Sequence, residues 1–336
     1  MIKKLLVISI IGMMVVLAGC GQNDNTTSQT DAQDASQKVT VALDYMPNTN
    51  HTGLYVALDK GFYKEEGLDV SIELPPEDGA SALVASGKAQ FGVDFQDLLA
   101  PAFTSDKPLP VTAVAALIQH NTSALMTLKE KNIDRPKKLE GKIYGTWNNP
   151  VELAMVKSII EKDGGDAKAL KTVPNSATDA IAALNTDMDA IWVYYAWDGI
   201  VAKEKGVDVQ YMYFKDLNPV FDYYTPVLIA NNDFLKNNAE IAKKFLKATE
   251  KGYQYACEHP DEAADILLAH GDGLDKNVVK ASQEWLAKEY QGDAPQWGYI
   301  DPTRWNAFYE WLNQEKLVEK PLEKDFGFSN EYLPKK

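Results

Sequence analysis

The sequence predicts an α/β protein with largely parallel sheets, on three observations. Short β-rich runs alternate with helical patterns from residue 38 to about residue 233, and parallel neighbours need helical crossovers of that kind. Apolar residues make up 45% and charged residues 24% of the 336-residue chain, a balance that suits a folded body of one large or two medium domains. Beyond the first 20 residues no apolar run is long enough to span a membrane.

The chain opens with MIKKLLVISIIGMMVVLAGC: two lysines, an apolar run from Leu5 to Leu17, then small residues ending at Cys20. That order is a secretory signal, and the apolar run is shorter than the roughly 20 residues a membrane span needs. Leu17-Ala18-Gly19-Cys20 resembles a bacterial lipobox, so residues 1–19 are expected to be cleaved and Cys20 to carry a diacylglycerol anchoring the protein outside the cell membrane. From Cys20 to residue 37 the chain holds no aromatic and no aliphatic side chain larger than Ala. It cannot bury enough surface to fold and reads as a tether. Past it, Cys257 is the one remaining cysteine, which excludes a disulfide within the body, and its helical spacing with Leu246 and Tyr253 predicts a buried thiol.

In the body, strands are expected at Lys38 to Asp44, Leu68 to Leu74, Phe91 to Asp94, Pro110 to Leu117, Lys142 to Thr146, Leu170 to Val173, Asp189 to Tyr194, Val207 to Phe214 and Pro226 to Ala230. Helical patterns fill the gaps at Gly79 to Gly87, Val151 to Lys162, Thr178 to Leu184 and Gly199 to Glu204. After about residue 233 consecutive helices are expected. In the last of them Asp301 can cap, Pro302 suits the first turn, and Trp305, Phe308, Tyr309 and Leu312 share one face that packs on the body.

With 34 Lys+Arg against 48 Asp+Glu, the formal charge of −14 argues against a nucleic-acid surface. Arg135 and Arg304 are the only arginines, so the guanidinium forks that usually hold carboxylate, phosphate or sulfonate are nearly absent. His51, His120, His259 and His270 fit no metal-binding spacing, and the chain lacks G-x-G-x-x-G, P-loop and G-x-S-x-G patterns. Neither a metal nor a cofactor is expected. Export, tether, acidic body and missing catalytic signatures together point to an extracytoplasmic capture protein.

The segment DYMPNTNHTGLYVALDKGFYKEEGLDV, Asp44 to Val70, resembles the amino-terminal motif of solute-binding lipoproteins of the pyrimidine-binding, thiamine-precursor type. Further resemblances are GASALVASGKAQFGV at Gly79 to Val93, YGTW at Tyr144 to Trp147, AIWVYYAWDGI at Ala190 to Ile200 and DYYTPVLIA at Asp222 to Ala230. The wider family includes nitrate, sulfonate and taurine binders and the fungal enzyme that makes the thiamine pyrimidine. The resemblance implies a two-lobed periplasmic-binding-protein type II fold with two interlobe crossings, residues 38–122 plus 226–336 forming one lobe and 123–225 the other. It also implies a monomer that closes on one small molecule and delivers it to the permease of an ABC importer.

Ligands of open α/β sheets lie at the carboxyl ends of strands. Asp44 and Asp94 end the first and third strands, and Trp147 with Glu152 flanks a helix start, offering a flat plate and an acceptor. Tyr194, Tyr195 and Trp197 follow another strand end and are read either as stacking groups or as core. Asn48 and His51 either bond the ligand or begin the next helix, and Asp222 with Tyr223 completes the candidate set. The fungal synthase uses a lysine-bound cofactor, a histidine and a cysteine-rich loop. At the matching places this chain has Asp94, Leu98 and Phe221-Asp222-Tyr223-Tyr224, which removes the Schiff base. An anion such as sulfonate would meet Asp44, Asp94, Glu152, Asp198 and Asp222 with no arginine in the same loops. An aminopyrimidine satisfies those acceptors better.

Overall fold

The computed structural model describes residues 36–174 and 179–335. The expected signal peptide, the Cys20 lipidation site, nearly all of the tether and Thr178 lie outside the described residues. Ten strands occur among them: β1 (Gln37–Ala42), β2 (Leu68–Glu73), β3 (Phe91–Asp94), β4 (Val111–Ala116), β5 (Ser123–Leu128), β6 (Ile143–Thr146), β7 (Lys171–Pro174), β8 (Ala190–Tyr194), β9 (Val209–Tyr213) and β10 (Val227–Asn231). They build two five-stranded sheets, ordered β2-β1-β3-β10-β4 and β7-β6-β8-β5-β9. Four of the eight neighbouring pairs are parallel and four antiparallel, fewer parallel pairs than expected, because one strand runs against the rest in each sheet, β10 in the first and β5 in the second, and each lies between two others.

β5, which was not among the expected strands, has the sequence SALMTL. Ala, Leu and Met favour helix in isolation. Here the run sits between β8 and β9 and is buried along its length, so tertiary burial rather than intrinsic preference makes it a strand. β10 is likewise buried throughout, whereas β7, which ends in Pro174, is an exposed edge strand.

The chain passes between the sheets twice, after β4 and after β9, and the two passages are bonded to each other. Asn121 donates through its side chain to the Phe221 carbonyl at 2.8 Å, and Leu117 N–H donates to the Pro226 carbonyl at 3.1 Å. Helix Pro302–Gln314 backs the second passage. Asp301 caps it by accepting from Thr303 N–H at 2.6 Å, and Trp305, Phe308, Tyr309 and Leu312 are buried as their spacing predicts. Phe308 stacks on Tyr223 with ring centroids 4.2 Å apart, and Trp311 meets Phe221 edge-on at 4.9 Å. Full burial of side chains of this size stabilises by about 1.5–3 kcal/mol each, which fixes the passage on its helix. Cys257 is a free thiol that is half-buried against the first sheet's core rather than fully buried as its spacing predicts, and that burial pushes its pKa up to about 11. At neutral pH it is held in the protonated thiol form.

Candidate functional site

The carboxyl edges of the two sheets face one another: Phe95, just after β3, stacks on Tyr194 at the end of β8, with centroids 6.2 Å apart and planes 17° from parallel. Of six exposed large hydrophobic side chains among the described residues, Tyr45, Met46, Leu74, Leu98 and Trp147 all follow carboxyl ends of strands. Apolar surface gathered at one edge marks a place where something binds.

On the first sheet, Asp44 follows β1 and accepts from His51 Nε2 at 2.6 Å. Asn48 N–H donates to His51 Nδ1 at 3.3 Å, so the ring carries its proton on Nε2. Both nitrogens of the fully buried His51 are thereby used by the chain. His51 positions Asp44 and offers nothing to a ligand. Asn48 is also committed, accepting from Asn50 N–H at 2.9 Å as the cap of the turn Thr49–His51. Asp94 ends β3, accepts from Phe95 N–H at 2.7 Å and from the Ser81 hydroxyl, and is pushed up to about 7 by burial and then by the charges of Asp97 and Asp44.

On the second sheet, Trp147 follows β6 and stays half-exposed, its ring 6.0 Å from that of Trp192. Glu152 does not reach the cleft as a free acceptor. It is buried and accepts from the Tyr144 hydroxyl at 2.5 Å, the Thr146 hydroxyl at 2.9 Å and Trp147 N–H at 3.1 Å. With Asn149 it forms the capping box of helix Pro150–Lys162. Its role is to hold the loop that presents Trp147. Tyr195 begins the π-helical turn Tyr195–Gly199 and packs among Tyr211, Tyr213 and Trp285, 5.1 Å from the first and last. Trp197 packs against the core of the first sheet. Neither ring lies beside Trp147 in the described contacts. Tyr194 is the aromatic that meets the opposite edge.

Asp222 lies at the passages instead of the ligand edge. It accepts from His120 Nδ1 at 2.7 Å and Asn121 N–H at 2.9 Å, and Arg304 Nε stands 3.6 Å away. Arg304, distant in sequence from every candidate loop, thus joins the second passage to the first, where it also donates to the Gln119 carbonyl. Tyr223 is fully buried at the base of the cleft.

Sequence reasoning missed Asp97. Asp97 lies in the first turn of helix Gln96–Thr104, and burial pushes it up to about 6. An acid three residues beyond a strand-end acid was the available signal. Asp198 is also raised to about 6 by burial.

A family model described as NMT1/THI5 like matches residues 48–263. The chain belongs to the NMT1/THI5-like family. A formylaminopyrimidine-binding protein of Halalkalibacterium halodurans is 31% identical to this family member over 98% of the chain and 99% of its own length. The riboflavin-binding protein RibY of Chloroflexus aurantiacus is 25% identical over 90% of the chain and 88% of its own. The structure of the alkanesulfonate-binding protein SsuA of Xanthomonas axonopodis pv. citri superposes with a TM-score of 0.65 at 11% identity, covering 87% of this chain and 98% of that one. The fold is the periplasmic-binding-protein type.

Proposed function

We propose that this chain is the extracytoplasmic, Cys20-anchored solute-binding lipoprotein of an ABC importer, a monomer without catalytic activity that captures a thiamine-related aminopyrimidine. Lobes 38–122 plus 226–336 and 123–225 would close on the ring and present it to the permease. The observation that carries the reading is the chemistry of the edges: Asp44, Asp94 and Asp97 gather at the edge of the first sheet, where Tyr45 and Met46 are exposed, Trp147 is exposed at the edge of the second, and Arg304 is drawn away to Asp222. Carboxyls and flat apolar plates suit a heteroaromatic ring with amino donors, and they repel an anion. The formylaminopyrimidine-binding relative supports the ring class. Of the synthase machinery, the lysine position is Asp94 and the histidine position Leu98, which supports binding without turnover.

Native mass spectrometry of protein extracted from its own membrane reads two parts of this at once. A diacylglycerol on Cys20 and a co-purifying aminopyrimidine are expected. Calorimetric titration then ranks ligands: a pyrimidine should bind more tightly than riboflavin or taurine. Tighter taurine binding, or an unmodified Cys20 on mature membrane protein, would refute the corresponding claim.

A further inference from the structure

The turn Tyr195–Gly199 follows β8 of the second sheet, yet part of it is buried in the core of the first. Ala196 is only 2% exposed and belongs to the same cluster as Val41, Phe91 and Leu228, and Trp197 packs against that cluster. The halves of the molecule are thus joined by a non-covalent junction in addition to the two passages. Beside it, Trp285 of helix Lys276–Leu286 meets the Tyr195 ring with centroids 5.1 Å apart. A Cβ on Gly199 would strike the Tyr195 ring, so glycine there leaves the ring room to lie against its own turn.

Ser282 holds this junction. Its hydroxyl donates to the Ala196 carbonyl, and its oxygen lies 2.6 Å from the Thr49 hydroxyl. Serine has one hydroxyl proton and the Ala196 carbonyl takes it, so Thr49 is the donor in the second bond. Thr49, Ser282 and Ala196 are all buried. Thr49 belongs to the turn Thr49–His51, whose His51 orients Asp44, and Ala196 comes two residues after Tyr194. Thr49 is anchored in turn, because its carbonyl accepts from the Tyr290 hydroxyl at 2.6 Å. Ser282 therefore ties together the two segments that present Asp44 and Tyr194 at the facing edges.

We propose that Tyr195–Gly199 is a releasable latch between the lobes and that Ser282 is the positioning residue that sets it, bringing the Asp44 loop and the Tyr194 edge into the register that retains a ligand. The proposal rests on the two-lobed, ligand-capturing reading above. Two features make release possible. The Ser282 and Thr49 hydroxyls and the Ala196 carbonyl can each take water in place of their partner, so parting the junction strands none of them. The packing is also narrow: between the turn and the first passage a cavity of about 180 Å³ separates Trp285 and Glu289 from Tyr213 and Lys215. Release therefore breaks a local contact and leaves each sheet's core closed. A π-helical turn is a rare element that recurs at functional sites, and here it sits at the contact that must part.

Two measurements on the full chain test it. The first is amide hydrogen exchange without ligand, with the β10 amides as the gauge of global unfolding. The N–H groups of Ala196 and Trp197 start their turn and have no carbonyl within it to bond, so they exchange when the junction parts. In the parent they should exchange about ten-fold or more faster than those of β10. Equal protection of the turn and β10 would make the junction permanent and overturn the latch. The second is the dissociation rate of formylaminopyrimidine, which stability alone does not set. Ser282→Ala strands the Ala196 carbonyl only while the latch is closed, so dissociation should be about ten-fold faster. Thr49→Ser keeps the hydroxyl that donates to Ser282 and should release at the parent's rate. An unchanged rate in Ser282→Ala would reduce Ser282 to a structural role and overturn the proposal. Failure of the parent to bind formylaminopyrimidine would overturn the pyrimidine reading alone, with the unliganded exchange rates still deciding the latch.

Discussion

Glu152 is held by donors of its own loop, and the consequence falls on Trp147, whose backbone N–H it binds at 3.1 Å. A carboxylate there accepts from every neighbour, while an amide turns one acceptor into a donor aimed at other donors. Glu152→Gln should therefore lower stability by about 1–3 kcal/mol in denaturant unfolding and weaken ligand binding indirectly, through a displaced Trp147. Parent-like stability with lost affinity would instead show Glu152 touching the ligand. His51 follows the same pattern: the sequence put it at the loop that meets the ligand, but only the fold shows both of its nitrogens already used, one of them to orient Asp44. Residue type and spacing tell which groups gather at an edge. Which of them have a free atom depends on partners that are remote in the chain.

Helix Thr52–Asp59 carries the motif that begins at Asp44, and it crosses helix Ala239–Glu258 at backbone contact. A Cβ on Gly252 would stand 2.1 Å from the Gly53 carbonyl oxygen, and one on Gly53 would strike the Tyr253 ring at 2.2 Å. Glycine is required at both positions by proximity rather than by dihedral freedom. Gly252→Ala gains helix propensity yet should destabilise by about 1–3 kcal/mol, because the helices must separate. Urea unfolding checks it, and an unchanged midpoint would mean that the crossing relaxes freely. Elements with a strong pattern of their own, such as helix Pro302–Gln314 with its Asp301 cap, were legible in the sequence. β5 was not, since SALMTL is a strand only because β8 and β9 flank it.

Across the whole molecule, the shifted groups of the cleft and passages bias stability toward mild acid. Burial raises Asp94 to about 7 and Asp97 and Asp198 to about 6, so the folded state holds their protons more tightly than an unfolded chain whose carboxyls titrate near pH ~4. Each therefore loses stabilisation as pH climbs from its unfolded value through its folded one. His120 is raised by its bond to Asp222, so its contribution is complete below its unfolded value of about 6.5 and fades as pH rises through the higher folded one. Asp163, held down to about 2 by Arg135, acts oppositely and loses its contribution only as pH falls below about 4. The thermal midpoint should thus decline from about pH 5 to about pH 8, and Asp94→Asn should flatten the decline. A midpoint that rises over that range would contradict the placement of these acids. The sequence by itself determined the α/β class, most of the strands, the acidic edge and the family, because periodicity, strand-end acids and motif spacing are local properties of the chain. Only the tertiary structure decided that Arg304 joins Asp222, that Glu152 and His51 are consumed, that Tyr194 replaces Tyr195 at the facing edge, and that Ser282 joins Thr49 to Ala196. Each of these depends on which distant segments the two passages bring into contact, and no local pattern encodes that distance.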